Sequence, residues 1–108
     1  MQGDVRGFDW DQGNQNKCQK HGLTIAEIEA LFDGQVWVAP DPKHSDQEQR
    51  YLAIGRSIMV DKPIFVAFTL RIKEEGIFIR PISARYMHQR EITKYEQTFT
   101  TNEDGSGD

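Results

Sequence analysis

The chain has 108 residues, a net charge of −4 and one cysteine, Cys18, so it can form one domain with its own core but no internal disulfide. Its apolar residues make up 37% of the chain and are grouped in segments, which favours a globular protein. No stretch approaches the ~18 apolar residues of a membrane span, and the N-terminus lacks an apolar signal region, so we expect a cytoplasmic protein without a membrane partner.

The basic residues are concentrated in one region although the whole chain is acidic. Residues 71–95 contain six bases and three acids, whereas residues 99–108 contain three acids and no base. Without those last ten residues, 14 acids (17 − 3) face 13 bases. The negative balance speaks against a general nucleic-acid binder, but the local excess of cations is suited to binding an anion such as phosphate.

The N-terminal part predicts a flexible lead-in over residues 1–7, a short strand at residues 8–10 and a first helix. Asp11 is a favourable N-cap because its carboxylate can accept from the open amides of the first turn. Gly22 suits the left-handed position that ends a helix. The helix itself has few apolar residues, so its pattern is weak.

A second helix has a much stronger signal. Thr24 and Glu27 form a capping box, and Gly34 follows the last apolar residue. Four residues form its apolar face at helical spacing, namely Ile25, Ile28, Leu31 and Phe32. We expect Glu27 and Glu29 to point outward.

Four strands follow, at residues 35–39, 50–56, 64–72 and 77–83. The third is apolar on both faces, which predicts a central strand covered on both sides. Pro81 cannot donate to a ladder, so the fourth strand is at an edge of the sheet or bulged there. We expect this strand to break over residues 81–86, a short helix from about residue 88, and a disordered acidic tail over residues 98–108.

This element order predicts an α+β domain over residues 8–97. Two N-terminal helices would pack on a mainly antiparallel sheet of four to five strands, with a short helix at the C-terminus, because helices precede strands that short loops connect.

The residues offer acid–base groups and cations but no standard nucleotide or hydrolase motif. RNA cleavage without a metal requires a base for the 2′-hydroxyl, an acid for the leaving 5′-oxygen and cations for the phosphorane charge. The candidate bases are His21, His44 and Glu48. The candidate phosphate-binding cations are Lys20, Arg50, Arg56, Arg80 and Arg85. We predict no metal site and no cofactor.

Several of these residues also have a purely structural interpretation. Lys20 and His21 are placed where cations favour a helix C-terminus. Glu48 and Arg50 could form an exposed ion pair on a strand. These alternatives remain open at the level of the sequence.

The arginines near the C-terminus differ in strength as candidates. Arg80 and Arg85 are the strongest, because they flank the expected break in the last strand. We expect Arg71 and Arg90 to be solvated or paired with nearby glutamates, Glu74 and Glu91.

An ordered set of short motifs runs through residues 8–96. In chain order these are Phe8-Asp-Trp-Asp11, Lys20-His-Gly22, Asp41-x-x-His44, Glu48-x-Arg50, Ala53-Ile-Gly-Arg56, Phe68-Thr69, Arg80-x-Ile-Ser-Ala-Arg85, Arg90-Glu91 and Tyr95-Glu96. The set resembles the BrnT family of bacterial toxins.

The resemblance implies a RelE-like fold and a metal-independent ribonuclease that inhibits translation. It also implies a BrnA-like antitoxin with a DNA-binding region, whose complex with the toxin binds operator DNA. The site residues it implies are Lys20, His21, Glu48, Arg50, Arg56, Arg80 and Arg85. One departure is Tyr86, where many relatives have lysine. The alternative function is a catalytically inactive module that keeps the fold and binds a protein partner.

Overall fold

A computed structural model describes residues 5–41, 43, 47–59 and 61–97. Within them the helices and strands are, in chain order, β1 Val5–Phe8, α1 Gln12–Gln19, α2 Ile25–Asp33, β2 Val36–Pro40, β3 Arg50–Arg56, β4 Pro63–Lys73, β5 Gly76–Tyr86 and α3, residues 89–97. The strands form one sheet in the order β1-β5-β4-β3-β2. β1 runs parallel to β5 and the other pairs are antiparallel, which confirms the predicted α+β fold. None of the described helices is long and apolar enough to cross a membrane.

The first strand differs from the prediction at both ends. β1 begins at Val5 and ends at Phe8, so residues 5–7 belong to the sheet rather than to a loose lead-in. The strand is defined by its parallel pairing with β5, in which Val5 lies opposite Ile77, and its own short sequence gives little sign of this. The expectations for residues 1–4 and for the tail at 98–108 fall outside the described residues.

Both helices are capped as predicted. The Asp11 carboxylate accepts from the Asn14 amide at 3.0 Å, and Thr24 and Glu27 form the second capping box. The weakly apolar α1 is stabilised by a tertiary contact, because the buried Asn14 side chain donates to the Pro81 carbonyl at 2.9 Å. Glu27 does not point outward as expected, since only 6% of it is exposed.

α1 and α2 cover one face of the sheet. Their buried residues Cys18, Leu23, Ile28, Leu31 and Phe32 pack with Ala53, Ile64, Val66, Phe68, Ile79 and Ala84 of the strands. Phe32 makes an edge-on contact with Phe68 at 5.2 Å between ring centres. We call this side of the sheet the helix face.

A smaller apolar cluster lies on the opposite side of the sheet. It consists of Ile54, Met87 and Ile92, with Phe65 and Tyr95 packed against them. β4 is therefore covered on both faces only in its first half. Its far end is open, and Ile72 is 84% exposed, which corrects the prediction of a fully covered strand.

β5 does not break at residues 81–86. It continues to Tyr86, and its pairing with β4 shifts at one point, where Phe68 lies opposite Pro81 but Ala67 lies opposite Ser83. β5 is an interior strand, so the bulge is the correct one of the two predicted alternatives. Arg80 and Arg85 thus belong to a continuous strand, and the premise that they flank a break in it is wrong.

Candidate functional site

Five arginines lie on the sheet face opposite α1 and α2. They are Arg50 and Arg56 of β3, Arg71 of β4, and Arg80 and Arg85 of β5. Successive side chains of a strand point to opposite faces, and the registers align these five with the side that carries Ile54 and Phe65. We call this surface the arginine face. Arg50 and Arg56 have the same parity as Leu52 and Ile54 in β3, so the two-residue period of a strand predicts that these four share a face, and the registers confirm it.

The registers place the side chains of this face in transverse rows across β3, β4 and β5. The rows are Arg50–Thr69–Arg80, Leu52–Ala67–Ser83 and Ile54–Phe65–Arg85. Neighbouring strands are ~4.8 Å apart, so the backbones of Arg50 and Arg80 are about 10 Å apart. The middle row contains the small residues Ala67 and Ser83, and Ser83 is exposed. An extended anionic chain can therefore approach the sheet between the arginines.

Arg80 is held by two carboxylates at the start of α1. Its guanidinium donates to Asp11 at 2.7 Å and lies 3.6 Å from Asp9, and its side chain is 22% exposed. Mainly through this hydrogen bond, Asp11 raises the pKa of Arg80, whereas the Asn14 amide and then Arg80 lower the pKa of Asp11. Arg80 is thus a fixed cation that also connects β5 to the start of α1.

Arg85 is paired with Glu91 of α3. Its two terminal nitrogens donate to the two carboxylate oxygens at 3.1 and 3.0 Å, and its guanidinium carbon lies 5.0 Å from the Phe65 ring centre. The hydrogen bond from Arg85, followed by that from the His88 amide, lowers the pKa of Glu91 to about 2. Of the two alternatives for Arg90, solvation is the correct one, because Arg90 is exposed and Arg85 occupies the Glu91 carboxylate.

Two more arginines of this face, Arg71 and Arg56, also have polar partners. Arg71 binds Glu48 at 2.5 Å, not Glu74, and so brings a candidate base to the arginine face. Arg56 donates to Gln89 of α3 at 3.1 Å and lies 3.9 Å from Glu96. Arg71 was expected to be solvated or paired with Glu74, although its parity with Thr69 in β4 is a signal that places it on this face.

Lys20 and His21 are not on the arginine face. They lie exposed in the turn between α1 and α2, on the helix face. The next residue, Gly22, has φ +98, and a Cβ there would lie 3.9 Å from the Tyr86 ring. The structure therefore brings Arg50, Arg56, Arg80 and Arg85 onto one face with Glu48 and separates them from Lys20 and His21. His44 lies outside the described residues.

Tyr86 connects the end of β5 to α2 on the helix face. Its hydroxyl donates to Glu27 at 2.6 Å, and this hydrogen bond raises the pKa of Tyr86 to about 12. Glu27 also receives hydrogen bonds from Thr24. The tyrosine thus provides a hydrogen-bond donor for a buried carboxylate and connects β5 to α2.

We expect Tyr86→Phe to lower the free energy of unfolding by about 1–3 kcal/mol, because it leaves a buried carboxylate oxygen without its donor. Because the hydrogen bond raises the pKa of Tyr86 to about 12 in the folded protein, it stabilises the wild type fully below pH ~10, the pKa of tyrosine in the unfolded chain. This stabilisation is lost as the pH rises through about 12. Urea unfolding at pH 8 measures the difference. Equal stability of the two proteins would show that the hydrogen bond contributes nothing.

The chain matches a known protein family. A family model described as "Ribonuclease toxin, BrnT, of type II toxin-antitoxin system" matches residues 10–91, more than half of the chain. The comparison with curated proteins gave no match.

Proposed function

The chain belongs to the BrnT family of ribonuclease toxins of type II toxin–antitoxin systems, and on this premise we propose that its arginine face binds and cleaves RNA without a metal ion. Cleavage of cellular RNA in the cytoplasm would stop translation. The observation that carries this proposal is the placement of five arginines on one face of three neighbouring strands, around small side chains. The fold would then be a RelE-like variant.

In the proposed reaction, Arg80 and Arg85 stabilise the charge of the phosphorane, and Arg50 and Arg56 bind the flanking phosphates. Of the two described candidate bases, Glu48 reaches this face through Arg71, whereas His21 lies on the helix face. We therefore assign the base to Glu48. It takes the proton of the 2′-hydroxyl, the 2′-oxygen bonds to phosphorus, and the bond to the 5′-oxygen breaks as that oxygen takes up a proton from water.

Lys20 and His21 have a different role in this proposal. They are exposed side chains of the α1–α2 turn, at the end of the sheet where β5 ends. We propose that they contact RNA phosphates beyond the cleaved bond, because an RNA strand is long enough to pass from the arginine face around the end of the sheet.

RNA cleavage by the purified protein should proceed at the same rate in EDTA and in Mg²⁺, and its products should end in a 2′,3′-cyclic phosphate and a 5′-hydroxyl. Both results follow from attack by the 2′-oxygen on a phosphorus whose developing charge is stabilised by arginines rather than by a metal ion. Gel analysis of an end-labelled oligonucleotide measures the rate and the product ends. An RNA with 2′-O-methyl groups is the control and should stay intact. Cleavage that stops in EDTA and returns with Mg²⁺ would contradict the proposal.

A toxin of this kind of system has an antitoxin as its partner. We propose that this antitoxin is BrnA-like, carries a DNA-binding region and represses its operon in complex with the toxin. It would cover the arginine face, so uninhibited cleavage in its presence would contradict this part. The second candidate function is the inactive module that binds a protein partner. The acidic net charge and the ion pairs of Arg80 and Arg85 favour it. Tight antitoxin binding by a wild-type protein that does not cleave RNA would support this function instead of the ribonuclease.

A further inference from the structure

The C-terminal helix lies over one end of the arginine face. α3 buries Ile92 completely against Ile54 and Met87, and Phe65 and Tyr95 pack around them. Ile54 and Phe65 belong to the same transverse row as Arg85. α3 therefore covers the row that contains Arg85 and also contacts Arg56, which donates to Gln89. The rows of Arg50 and Ser83 have no residue in this cluster.

α3 presents acidic side chains to these two arginines. Both carboxylate oxygens of Glu91 accept from Arg85, at 3.1 and 3.0 Å. Glu96 lies 3.9 Å from Arg56. Two parallel N–H···O bonds to one guanidinium are also the geometry in which arginine binds two phosphate oxygens. Glu91 thus occupies the place that a phosphate bound by Arg85 would take.

The attachment of α3 is small. Its apolar part is the cluster around Ile92, and its polar part is the contacts of Arg56 with Gln89 and Glu96 and the Arg85–Glu91 pair, whose side chains are 44% and 34% exposed. A helix of this length is not stable in water without tertiary contacts. Exposed ion pairs contribute little to stability, so an incoming phosphate can replace the Glu91 carboxylate on Arg85.

We propose that α3 is an intramolecular acidic strap, in which Glu91 and Glu96 occupy the phosphate sites of Arg85 and Arg56 until the backbone of an RNA strand displaces them. This rests on the proposed function and adds its regulation. The strap keeps part of the arginine face closed in the free protein. It also explains how a chain with an acidic balance carries five arginines on one face without exposing all of them to other polyanions.

The test compares Glu91→Gln with wild type and with Glu75→Gln. The glutamine side chain of the first variant keeps an oxygen that can accept from the His88 amide, as Glu91 does at 3.1 Å, but loses the charge. Glu75 is exposed in the β4–β5 turn, at the other end of the sheet from Arg85, so its variant removes the same charge without touching the strap. Binding of a 2′-O-methyl RNA oligonucleotide is measured by fluorescence anisotropy.

Glu91→Gln should bind this RNA about 2- to 5-fold more tightly than Glu75→Gln, the range expected for removing one exposed competing ion pair. Hydrogen exchange of the α3 amides should be faster in Glu91→Gln without RNA, and faster in wild type when RNA is added. Equal affinities of the two variants, or slower α3 exchange with RNA, would overturn the strap. Because this RNA cannot be cleaved, the affinity and the exchange rate do not depend on catalysis. If wild type, Glu91→Gln and Glu75→Gln all fail to cleave an unmodified RNA, only the ribonuclease proposal would be overturned.

Discussion

Replacing Arg85 with alanine should lower the rate of RNA cleavage by roughly 10²- to 10³-fold, the cost of removing one preorganised donor to a developing negative charge. Arg85 lies in the row next to the exposed Ser83, and its guanidinium is already oriented by Phe65 and Glu91. The same variant should lose its ability to arrest bacterial growth when expressed without an antitoxin. Initial rates on a labelled oligonucleotide measure the change.

Arg90→Ala is the matched control, because Arg90 is an exposed arginine of α3 outside the arginine face. Its cleavage rate should stay near that of wild type. Arg85→Lys should fall between the two, since an ammonium keeps the charge but not the paired donors. Undiminished cleavage by a folded Arg85→Ala protein would remove this residue from the mechanism. Arg80 is less suited to this test, because its loss also releases Asp9 and Asp11.

Leu31→Ala should lower the free energy of unfolding by about 3–5 kcal/mol, the largest effect on stability that we expect from one substitution. Leu31 is fully buried at the centre of the helix-face core. α2 approaches β3 closely there, since a Cβ at Gly55 would lie 3.0 Å from a Leu31 methyl carbon and 2.8 Å from the Gln35 carbonyl. The surroundings have little freedom to fill the space that a removed side chain leaves.

Ile72→Ala is the control for this loss of stability. Ile72 is also aliphatic but is 84% exposed, so its variant should change the free energy of unfolding by no more than about 0.5 kcal/mol. Urea unfolding followed by tryptophan fluorescence measures both variants. A Leu31→Ala protein as stable as Ile72→Ala would contradict the packing of α2 against the sheet.

Local signals in the sequence were sufficient for the second helix and for β3. The capping box of Thr24 and Glu27 and the limits of Arg50–Arg56 depend on residues close together in the chain, and both are confirmed. The fold class followed from the same local patterns, because short loops between strands favour antiparallel pairing. The side of the sheet that Arg50 and Arg56 share followed from the two-residue period of a strand.

Contacts between distant parts of the chain could not be predicted from such local patterns. The parallel pairing of β1 with β5 joins residues about 70 positions apart, and it decides where β1 starts. Pro81 allowed two positions for β5, at an edge of the sheet or bulged within it, and only the pairing of Phe68 with Pro81 distinguishes them. The carboxylate partners of the arginines were missed for the same reason, since Asp11 is 69 positions from Arg80 and Glu48 is 23 from Arg71.

Chemical-shift mapping with an uncleavable 2′-O-methyl RNA asks directly which face of the sheet binds RNA. Amide resonances of Thr69, Ser83 and Arg85 should shift on titration, and those of buried helix-face residues such as Ile28 should not. Shifts confined to the helix face, or no shifts at concentrations that saturate binding, would contradict an RNA site formed by the arginine face.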